Sequence, residues 1–383
     1  MPSKRRSTVS VALIFFVNGM VFSNWIPRIS EVRDRMGVSN SGLGISLLGG
    51  GLGGFLGSML VARVVRHVRT KTVVILASVI ISGLVPLVAV VPNPLTFLLL
   101  MTCLGFSDVQ NDVAFNAQGV MIQTRLGKPI MQRLHGMWSL GMVVGGLTAL
   151  AMSALDVRLG VHLVGTSIVM LVAVGWAIRG LLPNDDPHDE EIVKPDTRVR
   201  TAFAVTVAIG LMGSALAIIE SLPSEWSSVV LNDVFNAGRW KAAGTAVFAA
   251  FMLAGRLGGD HVVMRLGSRR TFDAGVWLCL ASASLLAIAP VTPVAFVAYA
   301  GWGLGVSVLF PQLYEIAAKL PGLSAAHGLG AMTFGQRLGF LTASGSAGVL
   351  ADLTNFRVTL FGLTALATVV VFAARRQTSG HVH

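Results

Sequence analysis

The amino-acid sequence specifies an all-α polytopic membrane protein, with twelve transmembrane helices arranged as two pseudo-symmetric six-helix bundles. Three features point there. Hydrophobic residues make up 54% of the chain and charged residues only 12%, where a soluble domain carries about 25%. The apolar residues gather into about twelve runs near the roughly 20 residues that a helix needs to cross a bilayer. These runs divide evenly around one long hydrophilic stretch, and landmarks recur in the same order on both sides of it.

The spans fall at 9–28, 42–62, 72–91, 97–122, 134–154, 160–181, 201–222, 241–260, 272–290, 294–317, 327–349 and 358–374. Lys4-Arg5-Arg6 before the first run mimics a signal peptide. The run outlasts a signal h-region and no small-x-small cleavage site follows, so it reads as a retained span. The hydrophilic stretch Pro183–Arg200 reads as a solvated linker. The domains are therefore 1–182, an N-terminal bundle, 183–200, a cytoplasmic linker, and 201–383, a C-terminal bundle. Cys103 and Cys279 fall within spans and carry no disulfide or metal signature.

A net charge of +11 invites a nucleic-acid reading, but its distribution opposes one. Basic residues cluster in alternate loops, at Lys4–Arg6, Arg63–Lys71, Arg125–Arg133, Lys194–Arg200, Arg265–Arg270 and Arg375-Arg376. This is the positive-inside pattern and places both termini in the cytoplasm. The intervening loops are poorer in Lys and Arg. No basic tract interleaved with aromatics appears, so no nucleic-acid partner is expected.

The halves read as a duplicated unit. Pro129 precedes His135-Gly136 as Pro321 precedes His327-Gly328, at the openings of spans five and eleven. Trp25 ends span one and Trp226 follows span seven, while Gly57 and Gly255 occur late in spans two and eight. Glycines at four-residue intervals mark spans two, five, eight and eleven: Gly49-Gly53-Gly57, Gly141-Gly145, Gly255-Gly259 and Gly335-Gly339. Such faces let backbones approach closely and suit helix pairs that slide or rock.

Span four carries the chemistry. Asp108 and Asp112 stand four residues apart, on one helical face, inside the otherwise apolar segment Leu98–Met121. A carboxylate is costly in hydrocarbon and usually marks an ion or substrate path. It can take up and release a proton as solvent access changes, which proton coupling requires. Asn111, Asn116 and Gln118 lie beside them. With Asn18, Asn24 and Trp25 of span one and Trp138 of span five, they form the set assigned to solute binding. Amides donate and accept, as hydroxyl recognition requires, and an aromatic face suits a sugar ring.

Three further charged residues stand in or near spans. Arg337, about ten residues into span eleven, is expected to meet Asp108, Asp112 or an anionic ligand, with a fixed pair to Glu315 as the alternative. Glu220, near the outer end of span seven, is a candidate outer gate or second proton site. Glu315, near the cytoplasmic end of span ten, reads as an inner gate.

The six-plus-six organisation, the cytoplasmic middle loop and the repeat together resemble the major facilitator superfamily. Arg265-Leu266-Gly267-Ser268-Arg269-Arg270 is similar to that superfamily's basic inter-helix motif, which assigns Arg265, Arg269 and Arg270 to gating. Met264 replaces the motif's acid, and the first copy, near Arg66–Lys71, lacks both acid and glycine. Asp112-Val-Ala-Phe-Asn116 resembles an acid-x-x-x-Asn element of the fucose–proton symporter-like branch, where the acid serves proton coupling and the Asn lies by the sugar. Phe16-Val-Asn18-Gly19, Trp25-x-Pro27-Arg28, His135-Gly-x-Trp138-Ser139 and Glu220-x4-Glu225-Trp226-Ser227 resemble a nearby bacterial inner-membrane branch. The resemblance implies a monomer.

The function expected is secondary active transport of a small polar, sugar-like solute, proton-coupled, by alternating access in the bacterial inner membrane. Efflux of amphiphilic compounds and a non-transporting membrane sensor of the same fold are the alternatives. No nucleotide loop, metal-ligand cluster or nucleophile elbow appears, so no catalytic residue, metal or cofactor is expected.

Overall fold

Every regular element among the described residues of the computed structural model is helical; these are residues 2–127, 130–183, 199–318, 320 and 325–379. The solvent dictates this. Hydrocarbon offers no water to an unpaired N–H or C=O, so a span must satisfy its backbone within itself. The expected linker, save for its ends, lies outside the described residues, as do the landmark prolines Pro129 and Pro321.

The chain divides into two compact units. The first comprises Met1–Val38 and Ile45–Glu190; the second comprises Ser39–Gly44 and Glu191–His383. The helices in chain order begin with α1 (Lys4–Ser23), α2 (Ile29–Met36), α3 (Asn40–His67), α4 (Thr70–Leu84), α5 (Pro94–Leu126), α6 (Met131–Ala154) and α7 (Leu159–Ala177). They continue with α8 (Val199–Asp233), α9 (Ala243–Leu266), α10 (Ser268–Ile288), α11 (Thr292–Ser307), α12 (Leu309–Ala318), α13 (Ala325–Leu353) and α14 (Phe356–Ser379). Each expected span falls on a helix. Span ten is broken between α11 and α12, and span one runs on through a 3-10 turn at Pro27 into the short α2.

Ten helical segments among the described residues are long and apolar enough to cross a membrane. Two long helices fall outside that set, α5 and α13. They carry Asp108 and Asp112 in one case and Arg337 in the other. Their length suffices; their polar residues lower the apolarity.

The same pairings build both units. In the first, α1 packs on α6 and α3 on α5; in the second, α8 packs on α13 and α9 on α11. Counted as spans within each half, these are one-on-five and two-on-four, twice. The glycine stripes make these contacts possible. A methyl group at Gly53 would strike the Thr102 carbonyl, one at Gly141 the Phe16 carbonyl, and one at Gly335 the Gly210 backbone. These glycine faces give close backbone packing inside each unit.

Span seven is also longer than its hydropathy predicts. Helix α8 continues through Pro223 to Asp233, so Trp226 lies within it rather than after it. Proline cannot donate to the carbonyl four residues back, which is that of Ile219. The buried indole of Trp302 on α11 takes the vacancy, donating to Ile219 O at 3.0 Å.

Candidate functional site

Helix α5 is delimited by local chemistry. The Asn93 side chain caps it, accepting from the Thr96 N–H at 2.9 Å, and Pro94 opens it where no N–H is needed. Gly127 ends it at φ 68°, a left-handed conformation that favours glycine. Between these points the polar side chains leave in three directions.

Toward α4 point Asn111 and Gln118, both buried. Asn111 Oδ1 accepts from Ser78 Oγ at 3.3 Å. Gln118 donates to Thr70 Oγ1 at 2.9 Å and Leu182 O at 3.0 Å, and accepts from Leu182 N at 2.9 Å. Its amide is spent on tying α5 to α4 and to the end of the unit. Toward α3 points Gln110, donating to Gly57 O at 2.9 Å. The sequence reading passed over Gln110, although it belongs to the same run of polar residues in an apolar span.

The third direction holds Asp108, Asp112 and Asn116 in line. Asp108 is half-buried, Asp112 exposed and Asn116 half-buried. Asn18 Nδ2 on α1 donates to Asp108 Oδ1 at 2.9 Å, and Trp138 Nε1 on α6 donates to Asn18 Oδ1 at 2.9 Å. These two bonds orient the Asn18 amide unambiguously, since its oxygen faces a donor and its nitrogen a carboxylate. Asn116 Nδ2 reaches back to Asp112 Oδ1 at 3.1 Å and to Asp112 O at 2.9 Å. Three helices thus bring together Asn18, Asp108 and Trp138, residues separated by up to 120 positions.

Asn24 and Trp25 are placed differently. Both are at most 1% exposed. Asn24 donates to Met20 O at 2.8 Å, and its oxygen faces His162 Nε2 at 3.2 Å and Thr166 Oγ1 at 3.3 Å. The ring of Trp25 is packed against Phe22 and Phe97. Beside them the buried Arg28 makes a bidentate pair with Glu31 at 2.9 and 2.8 Å, and meets Val157 O at 2.7 Å and His162 Nδ1 at 3.3 Å. This network locks the end of α1 to α7 and occupies the Asn24 amide, while Trp25 is held beside it by ring packing alone, its Nε1 buried without a hydrogen-bond partner.

In the second unit, Glu220 and Glu225 are half-buried on α8. Arg256 of α9 acts on Glu220 electrostatically, and Ser344 of α13 donates to Glu225 Oε2. Arg256 escaped the sequence reading, although an arginine inside span eight carries the same signal as Arg337. Arg337 on α13 is half-buried, and among the described residues it makes no ion pair. Glu315 on α12 is exposed, as are Arg265, Arg269 and Arg270 around the α9–α10 turn, where Gly267 adopts φ 80°. Ser268 in that turn donates to Gln312 Oε1, and Asp273 pairs with Arg375. No cluster of metal-ligating side chains occurs among the described residues.

The architecture and sequence match known transporters. The chain is 28% identical over 372 residues to an uncharacterised MFS-type transporter of Yersinia pestis, covering 96% of this chain and 94% of that protein. It is 25% identical over 377 residues to membrane protein MosC of Rhizobium meliloti, covering 97% and 90%. Among solved structures, a mutant form of the nucleoside transporter NupG superposes with a TM-score of 0.81 at 12% identity, covering 97% of this chain and 99% of that one. A bacterial homologue of the lysosomal transporter Spinster, inward-facing, gives 0.72 at 13% identity, covering 98% and 97%. The family model for the Major Facilitator Superfamily matches residues 11–343. This multi-pass membrane protein, a transporter rather than an enzyme, belongs to the Major Facilitator Superfamily.

Proposed function

We propose that the chain is a proton-coupled symporter for a small, sugar-like polar solute. On this reading it is a monomer in the bacterial inner membrane, with both termini in the cytoplasm, and works by alternating access. The observation that carries the proposal is the hydrogen-bonded chain Trp138–Asn18–Asp108 across three helices, one turn from the exposed Asp112.

The chain supplies a way to couple a proton to a solute. While Asp108 is ionised, its bond from Asn18 is charge-assisted, about twice as strong as a neutral one. Protonation removes that advantage and frees the Asn18 amide for a solute hydroxyl. Asp112, open where Asp108 is half-covered, is the group that exchanges protons with water, and Asn116 at 3.1 Å is its neighbour for the solute. The Trp138 ring offers its face to a sugar. The positive-inside pattern of the loops supports the orientation. Glu220, Glu315 and the α9–α10 arginines act as gates in this scheme.

Purified protein in liposomes that enclose a pH dye tests it. Sugars, polyols and sugar acids are added in pools, to wild type and to Asp112→Asn. A solute-triggered pH change that the variant lacks is expected. A pH change of equal size in the variant refutes the role of Asp112. Silence in every pool from folded protein overturns proton symport of these solutes and favours efflux, another coupling ion or the non-transporting sensor.

A further inference from the structure

Arg337 stands twelve residues after Ala325 and sixteen before Leu353, deep in α13. At 1.5 Å per residue it is about 18 Å and about 24 Å from the helix ends. Its direction follows from its neighbours. Gly335 and Gly339, two residues to either side, lie against Gly210 and Ser214 of α8. Two residues turn a helix by about 200°, so Arg337 leaves α13 on the side away from α8. It is half-buried, and among the described residues it has no hydrogen bond, ion pair or ring contact. Its neighbour Gln336, by contrast, accepts from Tyr314 Oη at 3.4 Å.

A guanidinium keeps its proton in any protein environment. At this depth its charge is costly until an anion meets it. Its five donors match carboxylate or phosphate oxygens two at a time. Resting on the transport reading above, we infer that the solute is an anion held by Arg337: a polyhydroxy compound bearing a carboxylate or a phosphate, that is, a sugar acid or a sugar phosphate.

The test compares matched ligands by thermal shift on detergent-purified wild type, Arg337→Gln and Arg337→Lys. The probes are glucose, galactose and sorbitol against glucuronate, galacturonate, gluconate, glucose 6-phosphate and galactose 1-phosphate. At least one acid or phosphate is expected to stabilise wild type more than its neutral parent does. Arg337→Gln should weaken that ligand about tenfold or more, and Arg337→Lys by less. Size-exclusion profiles and unliganded melting of the variants report folding. Acids favoured over phosphates, or the reverse, identify the anionic group. A neutral parent that binds as well as its anion, or an anion that binds Arg337→Gln as well as wild type, overturns the inference. So does the absence of any shift from the whole panel. The liposome assay separates the two readings: a neutral solute that drives proton uptake through Asp112 leaves symport standing while the anion inference falls.

Discussion

Asp352, at the end of α13, accepts the backbone N–H of Ser41 at 2.7 Å and its hydroxyl at 2.6 Å, across 311 positions of chain. It also accepts the Asn40 N–H at 3.2 Å. A carboxylate here meets the free N–H groups and positive dipole end that open α3. The contact lies within the second unit, to which Ser39–Gly44 belongs.

Asp352 lies beyond the expected span 327–349, and its titration has a definite sign. Partial burial pushes its carboxyl up, but hydrogen bonds from Ser41, Ser39 and Asn40 outweigh this and hold it below the ordinary carboxylate range. A depressed value means that the contact contributes fully above the unfolded value, about 3.9, and is lost as pH falls through the folded one. Asp352→Asn keeps an acceptor but loses the charge, so it should lower thermal stability at neutral pH by about 0.3–1 kcal/mol, the worth of a negative charge at a helix N-terminus. The gap between wild type and variant should close as pH falls below the carboxylate range. Melting curves of purified protein from neutral pH downward measure it; a constant gap would show that the charge is irrelevant.

Trp302 should matter for stability rather than for transport specificity. Trp302→Phe leaves the Ile219 carbonyl, already abandoned by Pro223, without a donor. A buried unsatisfied acceptor costs about 1–3 kcal/mol. Pro223→Ala restores the N–H, so the double variant should recover part of the loss. Chemical unfolding of the three variants reads this, and purely additive effects would dismiss the link.

Gly335→Ala should disrupt the second unit. Its Cβ would meet the Gly210 backbone, which cannot rotate aside as a side chain can. Overpacking of this kind costs about 1–3 kcal/mol, occasionally more. Gly330, with open space around its Cβ position, is the control on the same helix. Expression level and melting temperature should fall for Gly335→Ala and hold for Gly330→Ala.

Trp138→Phe isolates the indole N–H from the ring. Phenylalanine keeps an aromatic face but cannot donate to Asn18 Oδ1, so the Asn18 amide loses one of its two restraints. About 1 kcal/mol is at stake in a neutral hydrogen bond. A several-fold rise in KM is expected in uptake assays, with the pH dependence shifted because Asn18 no longer holds Asp108 as firmly. An unchanged pH profile would separate Trp138 from the proton.

Much of the architecture is legible in the chain, because each span must satisfy its own backbone and advertise its apolarity locally. Hydropathy locates the helices, and Asp108, Asp112 and Arg337 declare themselves as charges where charge is costly. The four-residue spacing correctly aligns Asp108 with Asp112 and Asn116. Packing is a different matter, because it depends on partners far away in sequence. Nothing in the stretch around Asn24 distinguishes it from Asn18, yet one amide is locked beside Arg28 and His162 while the other bridges an indole and a carboxylate. Gln118 and Asn116 stand two residues apart and leave α5 in different directions, a turn of about 200° that matters only once α4 is in place. The order of residues alone dictates which segments cross the membrane and which charges they carry. Helix assembly settles the rest: which polar groups are consumed by neighbours and which, like Arg337, meet no partner among the described residues. Burial and pairing are properties of the packed helices together and of no single one.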